Sequence, residues 1–297
     1  MNDLNIIKSI SSSTKRTIKG KATIIETNEG KYVIKKSNKN MENLFYYLLN
    51  RNFTNFPSFI HQNKEYNISK YIENTSEPLN QKYEDLIALI ASLHNKTSYF
   101  KNISIDKYKE IYENIKNNLI NEEIEYEKYY KEFFKQIYPS PSMQIFQTSY
   151  SKIKKTFYFC HKELEKWYEI IKTKNKIRVV LLHNNLKIEH LIKNKIYYLI
   201  SLDNYKFDTP ILDIYNLYKN EYDKTNFDIL LTKYIKLFPL LDHELKLLFI
   251  LISIPPEINK KQGEFYQSKE IYNIINYINK TEKLIRPYYS KQKEEEK

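Results

Sequence analysis

The chain has 297 residues, 41% of them apolar, 15% aromatic and 28% charged, which suits one large folded domain or two modest ones and excludes a wholly disordered chain. A formal net charge of +12 would suit an anionic partner, but arginine, the side chain base-reading sites favour, stands only at Arg16, Arg51, Arg178 and Arg286; compositional bias explains the lysine excess better, and nucleic-acid binding is not expected. The single cysteine, Cys160, excludes an internal disulfide and a cysteine-based zinc site, and within Phe157-Tyr158-Phe159-Cys160 it reads as a small buried apolar residue.

The sequence opens Met1-Asn2-Asp3-Leu4 with no long apolar stretch, so no secretory signal is expected and a cytoplasmic setting is. Residues 21–36 read as a hairpin: Thr23-Ile24-Ile25-Glu26-Thr27 is β-rich, Asn28-Glu29-Gly30 supplies the turn, and Tyr32-Val33-Ile34-Lys35 is a second β-rich run. A short amphipathic helix follows, with Leu44, Phe45, Leu48 and Leu49 at helical spacing behind Glu42. Residues 60–71 hold a further pair of short strands around His61-Gln62-Asn63-Lys64. Residues 83–96 form a helix whose apolar face carries Leu86, Ile87, Ile90 and Leu93, with His94 as a packed or capping residue.

From about 105 to 172 the Lys/Glu/Tyr-rich pattern predicts about three helices, broken at Tyr138-Pro139-Ser140-Pro141-Ser142. Strand signal returns at 177–182 and 196–202. Thr209-Pro210-Ile211-Leu212-Asp213 opens another helix. The longest apolar run, Leu247 to Ile252, is closed by Pro255-Pro256; it is far too short for a membrane span and reads as a buried helix. Residues 288–297 form a charged tail, of which Lys291–Lys297 is expected to fray. No internal repeat is present. The whole is α+β: a small antiparallel β-sheet lobe with one helix over 1–73, then a large, mainly helical lobe over 74–287 with a helical insert at about 100–172.

Three segments carry the chemistry. Lys35 ends a stiff strand, a fixed counter-charge for phosphate, and Glu42 opens the next helix. Leu182-His183-Asn184-Asn185-Leu186-Lys187-Ile188-Glu189-His190-Leu191-Ile192 lies between two strands. Tyr198-Leu199-Ile200-Ser201-Leu202-Asp203 follows, and Ser201 stands twelve residues before Asp213. In their order and spacing these segments resemble the kinase-like phosphotransferases that include aminoglycoside phosphotransferases and choline kinases. The nearest flavour is the spore-coat kinase-like proteins of low-GC, spore-forming bacteria. The resemblance covers about Gly20 to the Pro255-Pro256 region and implies a protein-kinase-like, two-lobed fold.

The resemblance assigns roles residue by residue. Lys35 matches the phosphate-binding strand lysine, Glu42 its acidic partner, and Gly20 the only glycine of the phosphate-covering loop. The second segment resembles the catalytic loop His-Gly-Asp-Leu-His-x-x-Asn: His183 and Leu186 match, Asn184 takes the glycine position, Asn185 the catalytic Asp position, and His190 the metal-binding Asn position. Ser201 takes the metal-binding Asp position, and Asp213 the residue that braces the loop. A carboxamide at Asn185 has no usable basicity, and general-base help is worth roughly 10²–10⁴ in rate. Magnesium wants anionic oxygen, which neither Ser201 nor His190 supplies. Asp203, two residues beyond Ser201 and on the same face if the segment is a strand, is the candidate rescue ligand; Glu189 and Asp208 are weaker ones, and a His183–His190 transition-metal pair lacks a third ligand.

The leading expectation is therefore a pseudokinase acting as a binding or scaffold protein, with no required cofactor and an unidentified protein partner. By resemblance alone, that partner belongs to the mother cell or spore coat. The alternatives are a divergent kinase for a small-molecule or protein acceptor, using ATP with magnesium or manganese through Asp203, and a basic binder of nucleic acid or an anionic surface.

Overall fold

The computed structural model describes residues 15–295 apart from 21, 37–39, 64, 134 and 260–262. Met1–Leu4, where no leader was expected, and the last two residues of the tail lie outside these. The fold is α+β, with an antiparallel sheet in the N-terminal part and helices through the C-terminal part.

The chain divides into two compact units. The first comprises residues up to Tyr99, Val179–Asp208 and Lys233–Phe238. Its sheet has five antiparallel strands: β1 (Lys15–Lys19), β2 (Ala22–Thr27), β3 (Gly30–Lys36), β4 (Phe59–Gln62) and β5 (Tyr66–Lys70), in the order β1-β2-β3-β5-β4. The β2–β3 hairpin falls where expected, with Ile24 opposite Val33 and Thr27 opposite Gly30, so Gly30 belongs to β3 and the turn is Asn28-Glu29. The β4–β5 turn is fixed by Asn63, whose Oδ1 accepts from the backbone N–H groups of Glu65 and Tyr66. Strand β1, exposed throughout and with Ile18 as its one apolar residue, carries no apolar alternation and was not anticipated.

Helix α1 (Met41–Asn50) starts under two caps: Asn40 Oδ1 accepts from Asn43 N, and Gln62 Oε1 of β4 accepts from Met41 N at 2.8 Å. Met41, Leu44 and Leu48 form its buried face. Helix α2 (Leu79–Thr97) buries Leu86, Ile87, Ile90, Leu93 and His94. At its end Thr97 Oγ1 donates to Leu93 O and accepts from Leu181 N at 3.0 Å, which ties α2 to strand β7 (Lys176–Leu182). His94 is fully buried with Nδ1 2.6 Å from the Tyr234 hydroxyl, the packed role expected of it. β7 lies between β6 (Tyr99–Asn102) and β10 (Lys206–Asp208), and β8 (Leu191–Lys193) pairs with β9 (Tyr197–Leu199).

The second unit comprises Phe100–Arg178, Thr209–Thr232 and Pro239 onward. Two long helices, α3 (Ile105–Phe133) and α4 (Pro141–Ile171), occupy the stretch where three were expected. The reason is local: no Pro or Gly interrupts 105–133, so the Pro139/Pro141 break is the only one. Next come α5 (Ile211–Glu221), α6 (Phe227–Leu237), α7 (Asp242–Ser253) and α8 (Glu264–Glu295). α7 is the buried apolar helix foreseen. α8 runs to Glu295. An aromatic core of Tyr126, Tyr129, Phe146, Tyr150 and Phe157, with Ile271, Ile274 and Ile278, joins α3, α4 and α8. Cys160 lies in it, fully buried, and burial pushes its thiol pKa up.

Candidate functional site

One row of residues crosses the five-stranded sheet. Lys19 lies opposite Ala22, Ala22 opposite Lys35, Lys35 opposite Asn67, and Asn67 opposite Gln62. Directly opposed residues of antiparallel strands point to the same face, so Ala22, Lys35, Asn67 and Gln62 share one. Gly20 closes the β1–β2 turn at this end of the sheet with φ +59°, a conformation glycine adopts without strain.

Lys35 reaches from this face to the segment after β9. Its ammonium donates to Ser201 Oγ at 2.8 Å and to Asp203 Oδ2 at 3.3 Å. The bridge is partly buried, with about a fifth of the Lys35 side chain and a third of the Asp203 side chain exposed. The two ligands converge for a reason other than the one expected. The strand predicted over 196–202 stops at Leu199; Ser201 takes a left-handed conformation (φ 65°, ψ 39°), and Leu202–Asn204 form a single 3-10 turn. The tight turn, not strand alternation, brings Ser201 and Asp203 to one side.

Glu42 is not the partner of Lys35. It is exposed in the first turn of α1, where it complements the helix dipole, and its backbone N–H is held by Gln62. The buried face of α1 holds Met41, Leu44 and Leu48, so that face offers the lysine no carboxylate.

The loop after β7 is anchored by its buried residues. His183 and Leu186 are fully buried. His183 Nε2 lies 2.9 Å from Ile200 O, and Ile200 N donates to His190 O at 2.9 Å. Asn184 sits at φ 59°, a left-handed conformation asparagine adopts more readily than most residues, and its Nδ2 donates to Asn204 O. Asn185 is half-buried. The 183–190 loop and the 200–204 turn are thus sewn together at three points.

His190, in a 3-10 turn at 188–190, stacks on His183 with ring centroids 4.9 Å apart. Burial, then the His183 ring and the Lys35 ammonium, push its pKa down to about 4, against a hydrogen bond to the Asn185 backbone that acts the other way. The ring is neutral at physiological pH. Its Nδ1 is buried without a hydrogen-bond partner, and so are Nδ2 and Oδ1 of Asn67. Asn67 escaped the sequence reading because only the strand register sets it beside Lys35.

Asp213 is fully buried in the first turn of α5, within the second unit. Glu189 is exposed, and Asp208 pairs with Lys206 at 3.1 Å. Among the described residues no three His, Cys, Asp or Glu side chains form a metal-holding group, and no helix is long and apolar enough to cross a membrane. The donors at the expected metal positions are a neutral imidazole and a hydroxyl, and the nearby carboxylate is bound to lysine. This set does not fit magnesium, which asks for several free anionic oxygens.

Solved structures match the chain along nearly its whole length. An aminoglycoside phosphotransferase from Alicyclobacillus acidocaldarius superposes with a TM-score of 0.72 at 10% identity, over 96% of this chain and 94% of the other. The fold is that of the kinase-like phosphotransferases. A spectinomycin phosphotransferase bound to AMP gives 0.52 at 10% identity, over 95% and 98% of the two chains. A glucosamine kinase in complex with glucosamine, ADP and inorganic phosphate gives 0.51 at 9%, over 98% and 87%. No protein-family model matches the sequence, and no curated protein matches it. At such identities the likeness concerns the fold alone.

Proposed function

We propose that this chain is a pseudokinase: a phosphotransferase-fold protein that binds through its phosphate-side site without transferring phosphate efficiently. The observation that carries the reading is the state of Lys35. Its ammonium is spent on Ser201 and Asp203, while Asn185, His190 and Ser201 stand where a base and metal ligands are needed. Phosphoryl transfer depends on positioning and charge stabilisation, and these side chains supply neither a proton acceptor nor an anionic cage. Asn67 and His190 keep buried hydrogen-bonding atoms without partners, which supports a retained binding role. AMP and ADP in the two neighbours make an adenine nucleotide the first ligand to try. A scaffold role, with a mother-cell or spore-coat protein as partner, rests on the sequence resemblance only.

The test is phosphotransfer with purified full-length chain, ATP, magnesium or manganese, and a panel of aminoglycoside, choline, amino-sugar and protein acceptors. Turnover should stay at the background of a Lys35→Ala control. Acceptor-dependent turnover abolished by Lys35→Ala or Asp203→Ala would overturn the reading. It would favour the second one, a divergent kinase, because Asp203 does stand at the lysine.

A further inference from the structure

We infer that the Lys35 ammonium is the resident cation of this site, so that the lysine bridge and divalent-metal binding exclude one another. The inference rests on the proposed function only in taking Ser201 and His190 as the metal positions; the geometry is independent of it. Lys35 does not stop at the sheet surface, where it would wait for a phosphate. It extends until its ammonium lies 2.8 Å from the Ser201 hydroxyl and 3.3 Å from the Asp203 carboxylate. Those are the oxygen donors a divalent ion would recruit there. Its charge is also felt at His190, the third candidate donor, whose buried Nδ1 has no hydrogen-bond partner.

The bridge therefore holds one unit of positive charge against one carboxylate, both partly buried, where screening is weaker than in bulk solvent. A divalent ion entering beside it would meet a like charge and find its only anionic ligand taken. Removal of the ammonium reverses both conditions. Asp203 is then a free carboxylate beside the Ser201 hydroxyl, and such oxygen donors, completed by water, are of the kind manganese accepts.

The experiment is a titration of full-length protein with Mn²⁺ alone, followed by the loss of the free-ion electron paramagnetic resonance signal. The wild type should show no saturable site up to about millimolar metal. Lys35→Met should gain a single site at least about tenfold tighter, and adding Asp203→Asn should remove it. Wild-type binding that Lys35→Met leaves unchanged, or no gain in a Lys35→Met protein with a native melting transition, overturns the inference. Should Lys35→Met fail to fold, the wild type still decides by NMR of the lysine ε-ammonium. A Lys35 signal broadened away by Mn²⁺ refutes resident-cation status, and one that persists supports it. The two readings fail separately: metal-free phosphotransfer would sink only the pseudokinase, and Mn²⁺ held at Asp203 by a catalytically silent wild type would sink only this inference.

Discussion

Replacing His190 by glutamine should remove a defined part of the acid sensitivity of this protein. The folded chain holds the His190 pKa at about 4, against 6.5 for the free side chain. A histidine depressed in this way binds its proton less readily folded than unfolded, so the unfolded state gains protons first as pH falls. Stability contributed by neutral His190 is complete above about pH 6.5 and is lost progressively down to about pH 4. A drop from 6.5 to about 4 corresponds to about 3 kcal/mol at 1.36 kcal/mol per unit for a ring wholly shielded from solvent. The ring is only half-buried, so about 1–2 kcal/mol is the expected loss by pH 4.5 after screening. The assay is urea unfolding of wild type and His190→Gln at pH 7.5 and 4.5, read as a difference of differences. Carboxylate titration is common to both proteins and cancels. Wild type should lose about 1–2 kcal/mol more than the variant between the two pH values. Equal losses, or a His190 ring that titrates near 6.5 by proton NMR, would refute the account of a desolvated ring held beside His183 and Lys35.

Two further predictions concern stability. Glu244 receives a bidentate pair from buried Arg178 and also caps Leu241 N at 2.9 Å, so Glu244→Ala should cost about 3–5 kcal/mol in denaturant unfolding by stranding the guanidinium. Asn184 sits at φ 59°: Asn184→Ala should destabilise by about 1 kcal/mol while Asn184→Gly stays within about 0.5 kcal/mol of wild type, a contrast thermal melts can resolve.

The parts of the fold written in local patterns were legible in the sequence. The β2–β3 hairpin is announced by β-rich runs around Asn28-Glu29-Gly30, and α2 and α7 by their apolar faces. Strands β1 and β6 were not, because both are short and exposed along their length, and pairing alone makes them strands. At the site, the segments singled out by motif order do meet: His183 stacks on His190 and reaches Ile200 O, while Ser201 and Asp203 both meet Lys35. The partner of Lys35 was misread. A glutamate at the start of a helix reads the same whether it turns inward or outward, and only the buried face of α1 decides. Asn67 left no signal, since an asparagine on a strand acquires meaning only from the residue across the ladder.

Under the proposed function, Asn185, His190, Ser201 and the lysine bridge act together electrostatically. A site built to hold divalent ions carries excess negative charge when empty, and bound metal balances it. Here the carboxylates expected at 185 and 201 are an amide and a hydroxyl, and the expected metal-binding amide at 190 is an imidazole kept neutral by its surroundings. What remains is Lys35 against Asp203, one charge of each sign in direct contact. The pair is balanced with nothing bound. A lysine left without Asp203 would be a partly buried cation with only the Ser201 hydroxyl against it, a costly state. On the proposed reading, Asp203 holds the strand lysine where metal ligands are wanting, and a phosphate reaching Lys35 would have to compete with a carboxylate already bound to it.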